Sequence, residues 1–158
     1  MAVKDSYKIA IIGCGAVAEL LYLPPLSGIP SVQKDLILVD PDEERTRNLA
    51  EKFNLRNCEK DYRDILGKDI EGVIIATPSH LHYSQTMDFL SAGVHVLCEK
   101  PLAETADEAR TMATQARKNG VILMANYQRR LYASNQKVKA LISEGELGKP
   151  VEIKYFEG

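Results

Sequence analysis

Gly13-x-Gly15-x-x-Ala18 follows the apolar run Lys8 to Ile12 and opens a segment with a helical pattern. Those residue types at that spacing suit phosphate binding. Gly13 allows a tight turn out of a strand, Gly15 lets the backbone approach a pyrophosphate, and Ala18 lets the helix pack close to the sheet. Ala16 and Val17 fall at the helix N-terminus, whose N–H groups and positive dipole end favour an anion. The pattern alone is weak. It gains weight from its strand–turn–helix setting and from Asp40, twenty-two residues beyond Ala18. A carboxylate there accepts hydrogen bonds from ribose hydroxyls and repels a 2′-phosphate, which favours NAD as cofactor and leaves NADP as the second choice. Arg45 and Arg47 nearby soften that discrimination. Asp40 also has a plain structural role open to it: Asp40-Pro41-Asp42-Glu43 makes an N-cap with Pro at N1 and a carboxylate at N3.

Glu99-Lys100-Pro101 is the second group that could do chemistry. A lysine at the carboxyl end of a strand can polarise a carbonyl, or relay a hydroxyl proton if burial lowers its pKa. The bland alternative is a solvated loop lysine. The Lys100–Pro101 bond is a candidate cis peptide, because X–Pro bonds lose little in that form. His80 and His82 follow Thr77-Pro78-Ser79 in a first helical turn, where the dipole disfavours an imidazolium. His82 either lines a cleft or lies on the surface. His95, within a strand, reads as a satisfied core residue. Cys14, Cys58 and Cys98 form no CxxC pair and no zinc spacing, so no metal is expected and a cytoplasmic setting is. No cysteine–histidine dyad or Ser/His/Asp spacing is present.

The elements that must position these residues alternate between strand and helix. Lys8 to Ile12, Leu36 to Val39, Gly72 to Ala76, Val94 to Cys98 and Val121 to Ala125 are continuous apolar runs that suit strands buried on both faces. Asn57 to Glu59 is a weaker candidate strand. Helices are expected from Ala16 with a bend or end at the Pro24-Pro25 pair, from Pro41 to about Phe53, and from a Ser79 cap to Gly93. A capping box, Thr105-x-x-Glu108, opens another with Ala109, Met112, Ala113 and Ala116 on one apolar stripe. A last helix runs from about Leu131 to Glu144, with Val138, Leu141 and Ile142 inward. Val151 to Phe156 reads as a further strand. This alternation implies right-handed crossovers and an α/β, doubly wound sheet with ligands outside the carboxyl ends of its strands. Gly13, Asp40, Thr77-Pro78, Glu99-Lys100 and Asn126 all fall at such ends.

The 158 residues suit one domain, or one domain and part of another, and can bury roughly 68–70% of the unfolded surface. With 45% hydrophobic and 27% charged residues the composition is globular. A net charge of −2 gives no basic excess for a nucleic-acid partner. Apolar runs of about four to five residues rule out a membrane partner through a spanning helix, which needs ~20. The opening MAVKDSYKIAII is too short in its apolar part for a secretory signal.

Taken together, AIIGCGAVA, LVDPD, IIATPSHLHYSQTMDFLSAGVHVLCEKPLAET, ANYQRR and GELGKPVEIKYFEG resemble the Gfo/Idh/MocA family of oxidoreductases over nearly the whole chain. The resemblance implies a Rossmann domain with a mostly parallel six-stranded sheet in the order 3-2-1-4-5-6. It implies NAD or NADP as cofactor, and a small sugar or polyol as substrate. It places Lys100 beside nicotinamide and substrate, Glu99 in contact with the cofactor region, and Thr77, Pro78 and His82 along the nicotinamide half of the cleft. Asn126 and Arg129 match a segment near the same site more loosely. Family members are about twice as long, with a second domain that carries a D-x-x-x-H motif absent here. The expectation is therefore a dinucleotide-binding domain over 1–149 and the start of a truncated substrate domain over 150–158. Such a chain would bind NAD(H) and turn over little, and a homo-oligomer is compatible with the complete enzyme. Two other classes remain: a stand-alone NAD(H)-binding or sensing module, and a methyltransferase-like domain. The G-x-G-x-x-A spacing and the lysine of Glu99-Lys100-Pro101 stand against the last.

Overall fold

The computed structural model describes residues 5–150 together with 152 and 154. Apolar runs without polar alternation need cover on both faces, and the sheet provides it. Its strands are β1 (Ile9–Ile12), β2 (Ile37–Val39), β3 (Asn57–Glu59), β4 (Gly72–Ile75), β5 (His95–Cys98) and β6 (Leu123–Ala125). They pair in the order β3-β2-β1-β4-β5-β6, every pairing parallel. This is the expected order, and the weak third strand is among them.

Side chains alternate across the sheet. Ala10, Ile12, Val73, Ile75, Val96 and Cys98 face one core layer, built with α4 (Ser79–Ser91) and α5 (Ala106–Asn119). Phe89, Leu90, Met112 and Ala116 fill that layer from the helices. Ile11, Leu38 and Ile74 face the other, closed by Leu23 of α1 (Leu23–Ser27), Val32 of α2 (Pro30–Gln33), and Leu49 and Ala50 of α3 (Glu43–Phe53). The layer under α4 and α5 includes Tyr62, stacked at a tilt on Phe89 with ring centroids 5.8 Å apart.

Local signals set most boundaries. The Thr105–Glu108 capping box is formed in both directions, and Gly120 ends α5 in the left-handed region at φ 66°. Several expectations are corrected. Asp42, not Asp40, caps α3: its side chain accepts from the Arg45 N–H, which leaves Asp40 free to bond elsewhere. Pro78 rather than Ser79 precedes α4, with no side-chain cap. His95 opens β5 on the exposed surface, and its Nδ1 accepts from the Ile122 N–H at 2.9 Å, so it is no core residue. The Pro24-Pro25 pair does not break the first helix either. It sits in the opening turn of α1 directly after a π-helical stretch, Ala18–Tyr22, where missing N–H groups are tolerated.

The chain divides into two units, one through Asn126 and one from Tyr127 on. The second holds a short 3₁₀ turn, Gln128–Leu131, and α6 (Ala133–Ser143). Leu141 and Ile142 are half-buried and Val138 is exposed. The expected strand Val151 to Phe156 lies outside the described residues apart from Glu152 and Lys154. Among the described residues no helix is long and apolar enough to cross a membrane.

The two glycines of the first turn differ in what they allow. A Cβ on Gly13, whose φ is +92°, would lie 2.8 Å from the Ala76 carbonyl carbon and oxygen and 2.9 Å from Thr77 Cγ2. A Cβ on Gly15 would meet nothing within 4 Å. In urea titrations Gly13→Ala is expected to cost on the order of 2–3 kcal/mol, from backbone strain and overpacking. Gly15→Ala is expected to change stability by no more than about 0.5 kcal/mol.

Candidate functional site

Backbone bonds extend the sheet's register beyond the strand ends. Gly13 N–H donates to Val39 O (2.8 Å), Ala76 N–H to Ile12 O (2.8 Å), Glu99 N–H to Ile75 O (2.9 Å) and Asn126 N–H to Cys98 O (2.8 Å). The residues after β1, β4, β5 and β6 therefore leave the sheet at one level, along its carboxyl edge. Gly13, Asp40, Thr77, Glu99, Lys100 and Asn126 share that edge. A cleft of about 720 Å³ opens there, with Gly13, Gly15, Asp40, Thr77 and Pro78 among its lining residues.

Asp40 ties the glycine turn to the end of β2. Its side chain is buried; Oδ2 accepts from Cys14 N–H at 2.8 Å and Oδ1 from Asp42 N–H at 2.9 Å. Arg45 Nη1 stands 3.3 Å from Oδ2, and Arg45 Nη2 is 3.2 Å from Asp42 Oδ2. Burial, and then the Asp40 charge, pushes the Cys14 thiol up to about 12, so this cysteine is an inert packing group. Ala16 and Val17 open the helix on the exposed side of the turn. Their N–H groups belong to a first turn that has no intrahelical partners to offer them.

Toward β5 the polar groups converge on one buried carboxylate. Glu99 Oε1 accepts from Tyr22 Oη (2.7 Å) and Asn126 Nδ2 (2.7 Å), and Asn126 Nδ2 also reaches Tyr22 Oη at 2.8 Å. Glu99 Oε2 accepts from the Lys100 N–H at 3.1 Å. Burial pushes the Glu99 carboxyl up, but the bonds from Asn126, Tyr22 and Lys100 N–H, with the Lys100 charge, outweigh it and hold the group below the usual carboxylate range. Burial and the Glu99 bond push the Tyr22 phenol well up, which keeps it a neutral donor. The Lys100 side chain is exposed, and the Lys100–Pro101 peptide is cis, as the sequence suggested.

His82 is 1% exposed and braces two turns. Its Nε2 lies 2.8 Å from Thr77 O and its Nδ1 2.7 Å from Pro101 O. A neutral ring donates to one of these carbonyls, an imidazolium to both. Thr77 Oγ1 donates to Gln85 Oε1 at 2.6 Å. Arg129 belongs to the second unit, in its 3₁₀ turn, where it is exposed.

Sequence reasoning missed Tyr22 and four residues that also line the cleft, Lys60, Tyr62, Arg63 and Gln85. Tyr22 had one available signal: a carboxylate at the end of a buried strand needs donors, and the helix leaving the glycine turn is the nearest source of them. The other four sit after β3 and on the far side of α4's first turn, where no motif marks them.

A family model described as "Oxidoreductase family, NAD-binding Rossmann fold" (GFO_IDH_MocA) matches residues 7–127, the stretch that holds this whole edge. The chain belongs to the Gfo/Idh/MocA family. Scyllo-inositol 2-dehydrogenase (NADP(+)) IolW of Bacillus subtilis (strain 168) is 35% identical over 143 residues, covering 90% of this chain and 39% of that protein. D-glucoside 3-dehydrogenase of Escherichia coli (strain K12) is 32% identical over 145 residues, 89% of this chain and 40% of its own length. Among solved structures, the 3-ketoreductase KijD10 of Actinomadura kijaniata, in complex with NADP and TDP-benzene, superposes with a TM-score of 0.79 at 27% identity. It covers 89% of this chain and 43% of that one. The chain thus spans about two fifths of the length of these relatives. As a member of this oxidoreductase family it carries an NAD-binding Rossmann domain.

The depressed Glu99 carboxyl has a measurable consequence. A folded-state value below the unfolded one stabilises the protein above the unfolded value of about 4.3, and that stability is lost as pH falls through the folded value. Glu99→Gln removes the titrating group. The stability gap between wild type and Glu99→Gln, from urea midpoints, is expected to be constant above about pH 5 and to shrink below about pH 4.3. A gap that widens on acidification would contradict the assignment of those bonds to an ionised carboxylate.

Proposed function

We propose that this chain is the cofactor-binding part of an NAD(P)-dependent oxidoreductase that oxidises or reduces a CH–OH or C=O carbon of a small sugar or polyol. The observation that carries this reading is the single edge on which an open, side-chain-free phosphate turn, the Asp40 carboxylate and Lys100 are found together. The two dehydrogenase relatives act on an inositol and a glucoside by their names, which supports the substrate class. The buried free thiols of Cys14 and Cys98 support a reducing, cytoplasmic setting.

The residues fit the cofactor. The space over Gly15 that a Cβ would enter is open, and it adjoins the first-turn N–H groups of Ala16 and Val17, so a pyrophosphate has both room and donors there. Asp40, Thr77 and Pro78 line the rest of the cleft, and Asp40 stands where an adenosine ribose is held in such folds. When bound, the nicotinamide supplies the hydride acceptor or donor. Glu99, fixed by Tyr22 and Asn126, accepts from the Lys100 backbone and so sets the direction in which the lysine leaves the sheet. Lys100 in turn holds the substrate oxygen, its ammonium donating to that oxygen and polarising a carbonyl. His82 stands between the Thr77 and Pro101 turns, and Asn126 completes the set we assign to this half of the site. The alternative of a sensing module without catalysis uses the same binding residues but gives Lys100 nothing to do.

Binding tests the reading directly. NADH or NADPH titrated into the chain is expected to give a saturable calorimetric signal. At a hundredfold excess over Kd the bound form is expected to be about 2.7 kcal/mol more stable. Gly15→Ala, which leaves the fold intact, is expected to abolish most of that signal. A chain that binds neither nucleotide would overturn the proposal.

Lys100→Ala separates catalysis from binding. Nucleotide affinity is expected to survive, while reduction of NAD(P)+ with cyclitols or glycosides falls by about 10²–10⁴-fold from whatever rate the wild type shows. An unchanged rate would return Lys100 to the status of a loop residue.

A further inference from the structure

Glu99 is only 7% exposed, and its bonds match a charged carboxylate. The groups bonded to it are all donors: Tyr22 Oη and Asn126 Nδ2, each 2.7 Å from Oε1, and the Lys100 N–H, 3.1 Å from Oε2. An ionised carboxylate only accepts, and this set gives it what it takes. Burial works against the charge, and the bonds from Asn126, Tyr22 and the Lys100 N–H, with the Lys100 charge, outweigh it. Neutral donors spread a negative charge without cancelling it. Among the described residues no lysine or arginine side chain forms an ion pair with this carboxylate. Lys100 is the cation felt there, and its side chain is exposed, where water screens it. Two other titratable side chains on the same edge are bonded elsewhere. His82 bonds to the carbonyls of Thr77 and Pro101, and Asp40 is paired with Arg45 beyond β1. A largely unscreened negative charge is therefore fixed at the end of β5.

The strand order gives that charge a target. Asp40 follows β2 on one side of β1, while β4 and β5 lie on the other. With the pyrophosphate at the β1 turn and the adenosine toward Asp40, the second nucleoside runs over β4 toward β5. Two strand spacings, about 10 Å, separate β1 from β5. A nicotinamide ring is a cation when oxidised and neutral once it has taken a hydride. We propose that Glu99 sets the redox preference of this site: its carboxylate makes the chain favour the oxidised nucleotide over the reduced one more than a neutral side chain there would. The inference rests on the cofactor reading above. It gives Glu99 a role by charge, separate from its bond to the Lys100 backbone. The Lys100 ammonium acts in the opposite sense, but it is the wet partner and Glu99 the buried one, so the carboxylate is felt more strongly. Tyr22 and Asn126 then act as positioning residues, because they keep the charge in place and ionised.

The test titrates NAD+ and NADH, and separately NADP+ and NADPH, by calorimetry into wild type, Glu99→Gln and Tyr22→Phe at neutral pH. Melting curves show whether each variant folds. The readout is the ratio of oxidised to reduced affinity within each pair, from which contacts common to both forms cancel. In Glu99→Gln the ratio is expected to fall roughly three- to thirtyfold, the scale of one charge felt across a partly solvated cleft. Tyr22→Phe removes a neutral donor and leaves the charge less offset, so there the ratio is expected to rise, on the order of threefold. Should Glu99→Gln not fold, the Tyr22→Phe ratio decides alone. A merely structural role for the cluster would weaken both forms alike and leave the ratio where it was. A ratio unmoved or raised in folded Glu99→Gln, or unmoved or lowered in Tyr22→Phe, overturns this inference and leaves the cofactor reading standing. Wild type that binds no nucleotide overturns both.

Discussion

No side chain fits between the turn that leaves β1 and the turn that leaves β4. A Cβ on Gly13 would overlap the Ala76 carbonyl, so two backbones touch where most folds interpose side chains. That contact fixes the height of the glycine turn against the Thr77 turn and leaves the helix N-terminus facing open space. The Asp40 bond to Cys14 N–H holds the same turn from the other side. Everything that follows along the carboxyl edge depends on this close approach. It is why a small positive-φ residue at position 13 matters to a lysine at position 100.

The edge divides into two electrostatic regions. Around Asp40, charge is balanced by paired ions, most of them exposed. Around Glu99, a buried carboxylate is balanced mainly by neutral donors and a backbone N–H. Buried charges without such partners are costly, and Tyr22 and Asn126 meet that cost from residues far apart in sequence. The π-helical stretch Ala18–Tyr22 lies in the segment that delivers the tyrosine to the carboxylate.

Much of this was legible in the amino-acid order. Five of the strands follow from unbroken apolar runs separated by helical periods, their order in the sheet follows from the family resemblance, and Asn57 to Glu59, the weakest strand, pairs with β2. The residues of the edge could be named because strand ends are marked by glycine, proline and carboxylates. What failed was local. Asp40 and Asp42 both offer an oxygen, both precede Glu residues, and only the backbone shows that Asp42 caps the helix. His95 was misplaced because a strand's first residue can point past the sheet rather than into it. Tyr22 was passed over because its partner is seventy-seven residues away, and neither pattern nor period links positions so remote. Lys60 and Arg63 follow a three-residue strand and carry no signature beyond their charge.

His82 has a mechanical consequence. One rigid ring stands between the carbonyl of Thr77 and that of Pro101, and no rotatable bond lies between its two nitrogens. The turns after β4 and β5 are thereby held apart, and neither can close on the other without displacing the ring. The disorder that a mobile loop would surrender on meeting a nucleotide is already surrendered when the chain folds. That half of the edge behaves as a mould rather than as a hand: it presents one shape in advance and selects what fits.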